Sequence, residues 1–389
     1  MSPDLLFILL AAVLGALIGS FSNVLIHRLP RRESIAFPPS RCPGCQHRLG
    51  VLDLVPVLSW AGLRGRCHYC EAPISARYPL VELLTAGGYA LLAYLFPLSQ
   101  IGPSLLGLFA LFTLLLVIAF IDAETRTIPD ELVLPGVALG IGLGALNSRF
   151  GGVGAGLPHL GAAFGGALLG SGVVALIALF GELALRRGRE RRFPEFPVNY
   201  QQVALAAFAG AWFGAAWGVA LGLLSVALSV FARRTVRVPE LLTLGGLVAS
   251  IVLSVGGTFP AVPSVITLVP NAVAAAGGMS LLAGLYWWTQ PDVDSASDDS
   301  DGDAFDPVAM GFGDVKLAAL MGAFMGFLGF AVSLGVAVVV GAVFGVLALA
   351  VRRDNKIPFG PYLAVGAFVS LVYGPQLIRF VEGFINQRY

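Results

Sequence analysis

Twelve long apolar runs constrain this 389-residue chain more than any other feature. No single chain of this length supplies enough core to bury so many, so the runs need a bilayer around them. They fall near Leu5–Ile26, Leu80–Phe96, Leu105–Ile121, Leu132–Leu146, Leu160–Leu185, Val203–Val219, Leu221–Phe231, Leu241–Val255, Val265–Trp288, Val315–Leu328, Phe330–Val351 and Tyr362–Phe380. The stretch Val203–Phe231 also reads as one long helix. Composition agrees, with 57% hydrophobic and 12% charged residues, and 49 glycines suit close helix packing in lipid. The predicted class is an all-α polytopic integral membrane protein of about twelve transmembrane helices. The expected partner is the lipid bilayer; a net charge of +1 gives no footprint for nucleic acid. The first run lacks a basic segment before it and an A-x-A site after it, so it reads as a first helix rather than a cleaved leader.

The distribution of charge orients the helices. With twelve spans, 21 of the 24 lysines and arginines fall on one side, and only Arg149, Arg379 and Arg388 on the other. By the positive-inside rule the N-terminus is outside and the large first loop is cytoplasmic.

That loop, His27 to Tyr78, carries all four cysteines, as Cys42-Pro43-Gly44-Cys45 and Cys67-His68-Tyr69-Cys70. Two C-x-x-C knuckles, with 21 residues between them, have the spacing of a tetrahedral structural zinc site. A cytoplasmic loop argues against two disulfides. His47 and His68 are spare candidates that read as ordinary loop residues. Ser20, Ser22 and Asn23, near the inner end of the first run, read as small polar groups hydrogen-bonded between helices, or else as a wall of a substrate groove.

Two aspartates stand at predicted helix ends on the cytoplasmic side. Asp314 lies in Gly311-Phe312-Gly313-Asp314-Val315-Lys316, and Asp122 in Ile121-Asp122-Ala123-Glu124-Thr125-Arg126-Thr127-Ile128-Pro129-Asp130. A carboxylate at a membrane boundary is costly without a partner or a task. Two brought together cannot both ionise, so one keeps a proton while the other acts as a base on water. A structural pairing of Asp122 with Arg126 is the plainer alternative. Asp130 reads as a helix-start residue after Pro129. Pro291–Asp306 holds seven aspartates and no basic residue; it lacks the ligands of a calcium loop and reads as an acidic linker.

Several stretches together resemble the type IV prepilin leader peptidases, the G-x-G-D membrane aspartic proteases. They are Gly19-Ser20-Phe21-Ser22-Asn23-Val24 with His27-Arg28-Leu29-Pro30, the two knuckles, Pro56-Val57-Leu58-Ser59-Trp60, and Ile74 to Glu82. Further along they are Asp122 with Ile128-Pro129-Asp130, the Gly311–Lys316 stretch, and Ile357-Pro358-Phe359-Gly360-Pro361-Tyr362. The resemblance implies that Asp122 and Asp314 are the catalytic pair and that Cys42, Cys45, Cys67 and Cys70 form the family's tetracysteine motif. It implies cleavage of prepilin and pseudopilin leaders at the cytoplasmic face of the bacterial inner membrane. It also implies, with the knuckles intact, N-methylation of the new N-terminus from S-adenosylmethionine, for which no binding residue is assigned.

One departure stands out: Asp122 and Asp314 are 192 residues apart, farther than the family pattern leads one to expect. The predicted organisation is a first helix (1–26), a zinc loop (27–79), a first part of the protease core with Asp122 (80–189), inserted helices (190–290), the acidic linker (291–306) and a second core part with Asp314 (307–389). The insert resembles the core. Val203–Ala211 aligns with Val315–Ala323 at an offset of 112, and Val238–Leu241 with Ile128–Glu131 at 110. A duplicated half-module would then carry Gln202 in place of Asp314 and Ala232 in place of Asp122. Two competing readings are a transporter or channel with a zinc-bound loop, and an inactive scaffold for pilus assembly.

Overall fold

The computed structural model describes residues 3–102, 104–149, 157–185, 197–234, 238–257, 259–290, 311–351 and 358–386. The expected acidic linker, Pro291–Asp306, lies outside them. Among the described residues there is no strand, only two isolated bridges in the first loop. The helices are α1 (Pro3–Arg28), α2 (Leu58–Gly62), α3 (Arg77–Leu95), α4 (Leu98–Ile101), α5 (Ser104–Thr125), α6 (Asp130–Arg149) and α7 (Leu160–Leu185). They continue as α8 (Tyr200–Phe213), α9 (Ala215–Ala232), α10 (Glu240–Gly256), α11 (Val265–Thr289), α12 (Phe312–Val351) and α13 (Gly360–Asn386). Eight of the described helices are long and apolar enough to cross a membrane. This is a multi-pass membrane protein.

The sequence places two breaks wrongly by a few residues. The run Val203–Phe231 divides at Gly214 (φ 94, ψ 155), and α12 breaks at Gly326 (φ 68, ψ 176), not near residues 220 and 329. Hydropathy does not change across either point, whereas only glycine adopts this backbone conformation cheaply.

The chain forms two compact units, Met1–Leu160 with Val332–Tyr389, and Gly161–Ala331. In the first unit α1 lies along α3 so closely that a methyl group on Gly15 would stand 2.6 Å from the Thr85 carbonyl oxygen, and one on Gly19 2.8 Å from the Glu82 Cα. Small residues permit this approach, and in lipid such packing holds helices together. Ile26, Val81, Val117 and Ile121 bury one cluster across α1, α3 and α5. Phe112 of α5 fills the space over Gly88 of α3 and meets Phe368 of α13 edge-on at 5.8 Å. The outward leucines of α1, such as Leu6, Leu10 and Leu17, are exposed, as a lipid-facing surface should be.

The second unit has reciprocal contacts. A methyl on Gly172 (α7) would sit 1.9 Å from the Val273 carbonyl oxygen (α11), and one on Gly277 (α11) 1.9 Å from the Leu168 carbonyl oxygen (α7). Both members of the second contact are displaced by 105 residues from those of the first (172 to 277, 168 to 273). Such an exchange of partners is the mark of an isologous contact about a two-fold axis. The outer pairs follow the same relation. A methyl on Gly322 of α12 would lie 2.1 Å from the Gly166 carbonyl oxygen of α7, and one on Gly210 of α8 would lie 2.9 Å from the Asn271 carbonyl oxygen of α11. Here 166 to 271 is again 105, and 210 to 322 is 112, as is 214 to 326 for the two glycine breaks. Tyr200 and Phe312, also 112 apart, touch each other edge-on at 6.3 Å.

The axis makes a paired prediction. Gly172→Val and Gly277→Val each place a branched side chain where no methyl fits, so both should destabilise by about 2 kcal/mol or more and by similar amounts. Gly161→Ala, with nothing within 4 Å, should be near neutral. Thermal melts of the purified variants check all three; a tolerated valine at one position only would break the equivalence.

Candidate active site and metal centre

The two knuckles fold alike. Cys42 N–H donates to His47 O (3.0 Å) and Cys67 N–H to Ala72 O (2.9 Å), while Gln46 N–H and Glu71 N–H return to the Cys42 and Cys67 carbonyls (2.9 and 3.0 Å). Gln46 (φ 57) and Glu71 (φ 56) close the turns in the left-handed region. The bridges Arg41↔Arg48 and Arg66↔Pro73 frame the two turns. The result brings the four sulfurs within 4.8 Å of one another, Cys42 and Cys67 buried, Cys45 and Cys70 exposed. The four could hold a metal ion, and an all-thiolate tetrahedral set suits zinc. The backbone N–H of Cys45, then that of Gly44 and the neighbouring thiols, outweigh burial and lower the Cys42 thiol to about 7. At Cys70 the N–H of Ala72 lowers the thiol, but the Cys45 side chain, burial and the other two thiols together push it up to about 12. His47 packs against Tyr69 with ring centroids 3.7 Å apart and planes tilted by 30°, and His68 Nδ1 lies 3.9 Å from Asp53; neither belongs to the sulfur cluster.

Asp122 sits in the last turn of α5, in the first unit, and is buried. Its Oδ2 accepts from the backbone N–H of Gly360 at the start of α13 (2.8 Å). A methyl on Gly360 would stand 2.7 Å from that same oxygen, so glycine is what lets the two helices meet there. This role of the Pro358-Phe359-Gly360 stretch was not legible in the sequence. Arg126 meets Asp122 through the backbone, its N–H donating to the Asp122 carbonyl at 2.8 Å. Two residues on, Glu124 is ion-paired with Arg77 at the head of α3, which ties the end of the cysteine loop to the Asp122 helix.

Asp314 belongs to the second unit, at the third position of α12. Its Oδ2 accepts from Gly311 N–H (3.1 Å), a reach back across the first turn that satisfies one of the helix's open donors. The ammonium of Lys316 lies 5.1 Å over the Phe312 ring. At the head of α8, Gln202 makes the same reach, its Oε1 accepting from Asn199 N–H at 2.8 Å.

The polar residues near the end of α1 do bridge elements. Asn23 Nδ2 donates to Tyr78 O (3.0 Å) and Gly19 O (3.3 Å), while Ser22 only returns to its own helix at Ile18 O. Next to them, buried Glu82 of α3 accepts the backbone N–H of Val57 (2.7 Å). Val57 itself is held at φ 62, ψ −49, a costly conformation for a β-branched residue.

These features define a polytopic membrane protein with a tetracysteine loop and carboxylates fixed at helix ends. Residues 13–96 match the profile described as Bacterial Peptidase A24 N-terminal domain, and residues 219–346 match Type IV leader peptidase family. The second match includes Asp314 and begins beyond Asp122. Relatives curated as "Prepilin leader peptidase/N-methyltransferase" include that of Stutzerimonas stutzeri, 36% identical over 239 residues (55% of this chain, 75% of the relative). That of Aeromonas hydrophila is 36% identical over 233 residues (54% and 74%). That of Myxococcus xanthus is 44% identical over 140 residues, 36% of this chain and 40% of the relative's length. No solved structure matches. The chain belongs to the type IV leader peptidase family and is an enzyme of that class; the comparisons do not favour a transporter.

The strain at Val57 is testable. Val57→Gly removes the side chain that disfavours positive φ and should stabilise the loop by about 1 kcal/mol. Glu82→Leu strips the Val57 N–H of its acceptor and should cost about 1–3 kcal/mol. Melting temperatures that move together, rather than in opposite directions, would refute this reading of the turn.

Proposed function

We propose that the chain is a leader peptidase of the bacterial inner membrane, with Asp122 and Asp314 as its catalytic pair. It cuts prepilins and pseudopilins at the cytoplasmic face and methylates the new N-terminus from S-adenosylmethionine. The observation that carries this is two helix-end carboxylates, each fixed through one oxygen by a backbone N–H, in a chain of this family. In the mechanism one carboxyl retains a proton and the other draws one from water. The water attacks the scissile carbonyl, which the protonated partner polarises, and the proton passes to the leaving amine. The N-terminus lies outside, so that both aspartates and the cysteine loop face the cytoplasm. Asp122→Asn or Asp314→Asn should each lower leader cleavage by at least about a hundredfold without loss of membrane insertion. Co-expression with a prepilin and a gel-mobility readout checks this; full processing by either variant would remove that residue from the pair.

Cys42, Cys45, Cys67 and Cys70 hold one zinc, whose task is to fold a loop with little core of its own. Metal analysis of the purified protein should find one zinc per chain, and a strong chelator should unfold the loop and expose four alkylatable thiols. Protein free of metal with its loop still folded would count against the assignment.

The helices between the aspartates are a degenerate copy of the core. Support comes from the offsets in the second unit, from the shared reach of Gln202 and Asp314, and from the glycine breaks at 214 and 326. The sequence adds Arg233-Arg234-Thr235-Val236-Arg237-Val238-Pro239 against Arg352-Arg353-Asp354-Asn355-Lys356-Ile357-Pro358, at an offset of 119. These relations favour boundaries wider than 190–290, with α7 to α10 repeated as α11 to α13. The left-handed caps Arg126 and Arg233 bring Ser229, rather than Ala232, level with Asp122. In an Asp314→Asn background, Gln202→Asp should therefore restore no cleavage, because its copy offers no second carboxyl; recovery of processing would show a second competent site.

A further inference from the structure

The first unit has a partly open cavity of about 410 Å³ between the ends of α1 and α3 and the cysteine loop. Its size falls in the range of cofactor sites, roughly 300–1,000 Å³. Its walls include Asn23, His27, Trp60, Leu63, Tyr78 and Glu82, from three separate stretches of the chain. Neither Asp122 nor Asp314 lines it.

Three features of this cavity describe its ligand. Asn23 is 3% exposed, and its amide orientation is set because Nδ2 faces two carbonyl oxygens. Its Oδ1 is buried without a hydrogen-bond partner, and a buried orphan acceptor is costly unless a donor arrives. Glu82 brings a buried carboxylate whose named partners, the Val57 N–H and the Ser20 hydroxyl, are neutral and leave its charge uncompensated. A buried anion of this kind favours a cation. Trp60 offers a π-face that is held in place, since its Nε1 donates to Ile74 O (3.1 Å) and Gly65 closes against the ring so tightly that a methyl there would lie 2.9 Å from it. An aromatic wall suits both a purine and an onium centre.

We propose that this cavity binds S-adenosylmethionine, with Asn23 Oδ1 accepting from an N–H or hydroxyl of the adenosyl group, Trp60 lining the site, and Glu82 favouring the sulfonium charge. The assignment rests on the methyltransferase part of the proposed function. Bound there, the donor supplies an electrophilic methyl on a sulfonium that leaves as a neutral thioether. The strained Val57 turn then has a use: it brings its N–H to Glu82 and fixes the carboxylate at the cavity wall.

The test uses the full chain in lipid nanodiscs, titrated calorimetrically with S-adenosylmethionine and with S-adenosylhomocysteine, its uncharged thioether counterpart. Wild type should bind one equivalent of each. Asn23→Leu should weaken both at least tenfold. Glu82→Gln, which keeps an acceptor for Val57, should weaken the sulfonium at least fivefold more than the thioether; a merely structural role would weaken both alike. Zinc content and melting temperature verify folding. Should either variant misfold, photolabelling of wild type with 8-azido-S-adenosylmethionine decides, with the label expected on peptides of the first loop or the α1 and α3 ends. Unchanged affinities in folded variants, equal weakening of both ligands by Glu82→Gln, or a label elsewhere would each overturn the cavity assignment while leaving methyl transfer standing. A wild-type chain that cuts leaders but binds neither ligand would overturn both.

Discussion

In a bilayer no water is at hand to satisfy a backbone N–H, so open donors collect where helices end. That constraint decides where a membrane enzyme can keep a polar reacting group. Asp122 at the end of α5 takes the N–H that opens α13; Asp314 takes the N–H at the head of its own helix. Each carboxylate thereby completes a helix terminus, and the terminus in turn fixes one oxygen of the carboxylate. On the proposed pairing the reacting groups and the architecture use the same hydrogen bonds, which would tie Gly360 to the chemistry although it has no side chain to offer.

How much of this was legible depended on how local the cause was. The cysteine knuckles are local: four residues set each turn, and the spacing alone announced a fourfold sulfur site. The aspartates stood out because a charge in an apolar setting is conspicuous, and the structure fixes each at a helix end. Gly360 was not, because its meaning lies in an approach to a residue 238 positions away. The glycine breaks were misplaced for a related reason: Gly214 and Gly326 sit in runs where many residues are glycine or alanine, and only the folded backbone distinguishes the ones with positive φ. Glu82 and Val57 likewise acquire roles only once α3 and the loop are folded together. Sequence reading succeeded where composition or spacing carried the signal, and failed where contact did.

The reciprocal glycine contacts also explain why the insert could be seen at all. Two helices that cross backbone-to-backbone tolerate no side chain at the crossing, so Gly172, Gly277, Gly210 and Gly322 are held by sterics. Between such points the alignment is free to drift, and the offset widens along the chain from 105 (172 to 277) to 112 (210 to 322) and 119 (233 to 352).

The pair Gln202 and Asp314 separates what folding requires from what chemistry requires. Both positions need an oxygen that can reach back over the first turn to an N–H, and both side chains supply it. An amide meets that need as well as a carboxylate does, without carrying a charge into the membrane boundary. It cannot hold or release the proton that peptide hydrolysis moves. A copy relieved of catalysis but still required to begin a helix would therefore be expected to exchange its acid for an amide of similar reach, and glutamine in a capping turn is such an exchange. The retention of aspartate at residue 314, where glutamine would serve the helix equally well, is then a sign that the charge itself is in use.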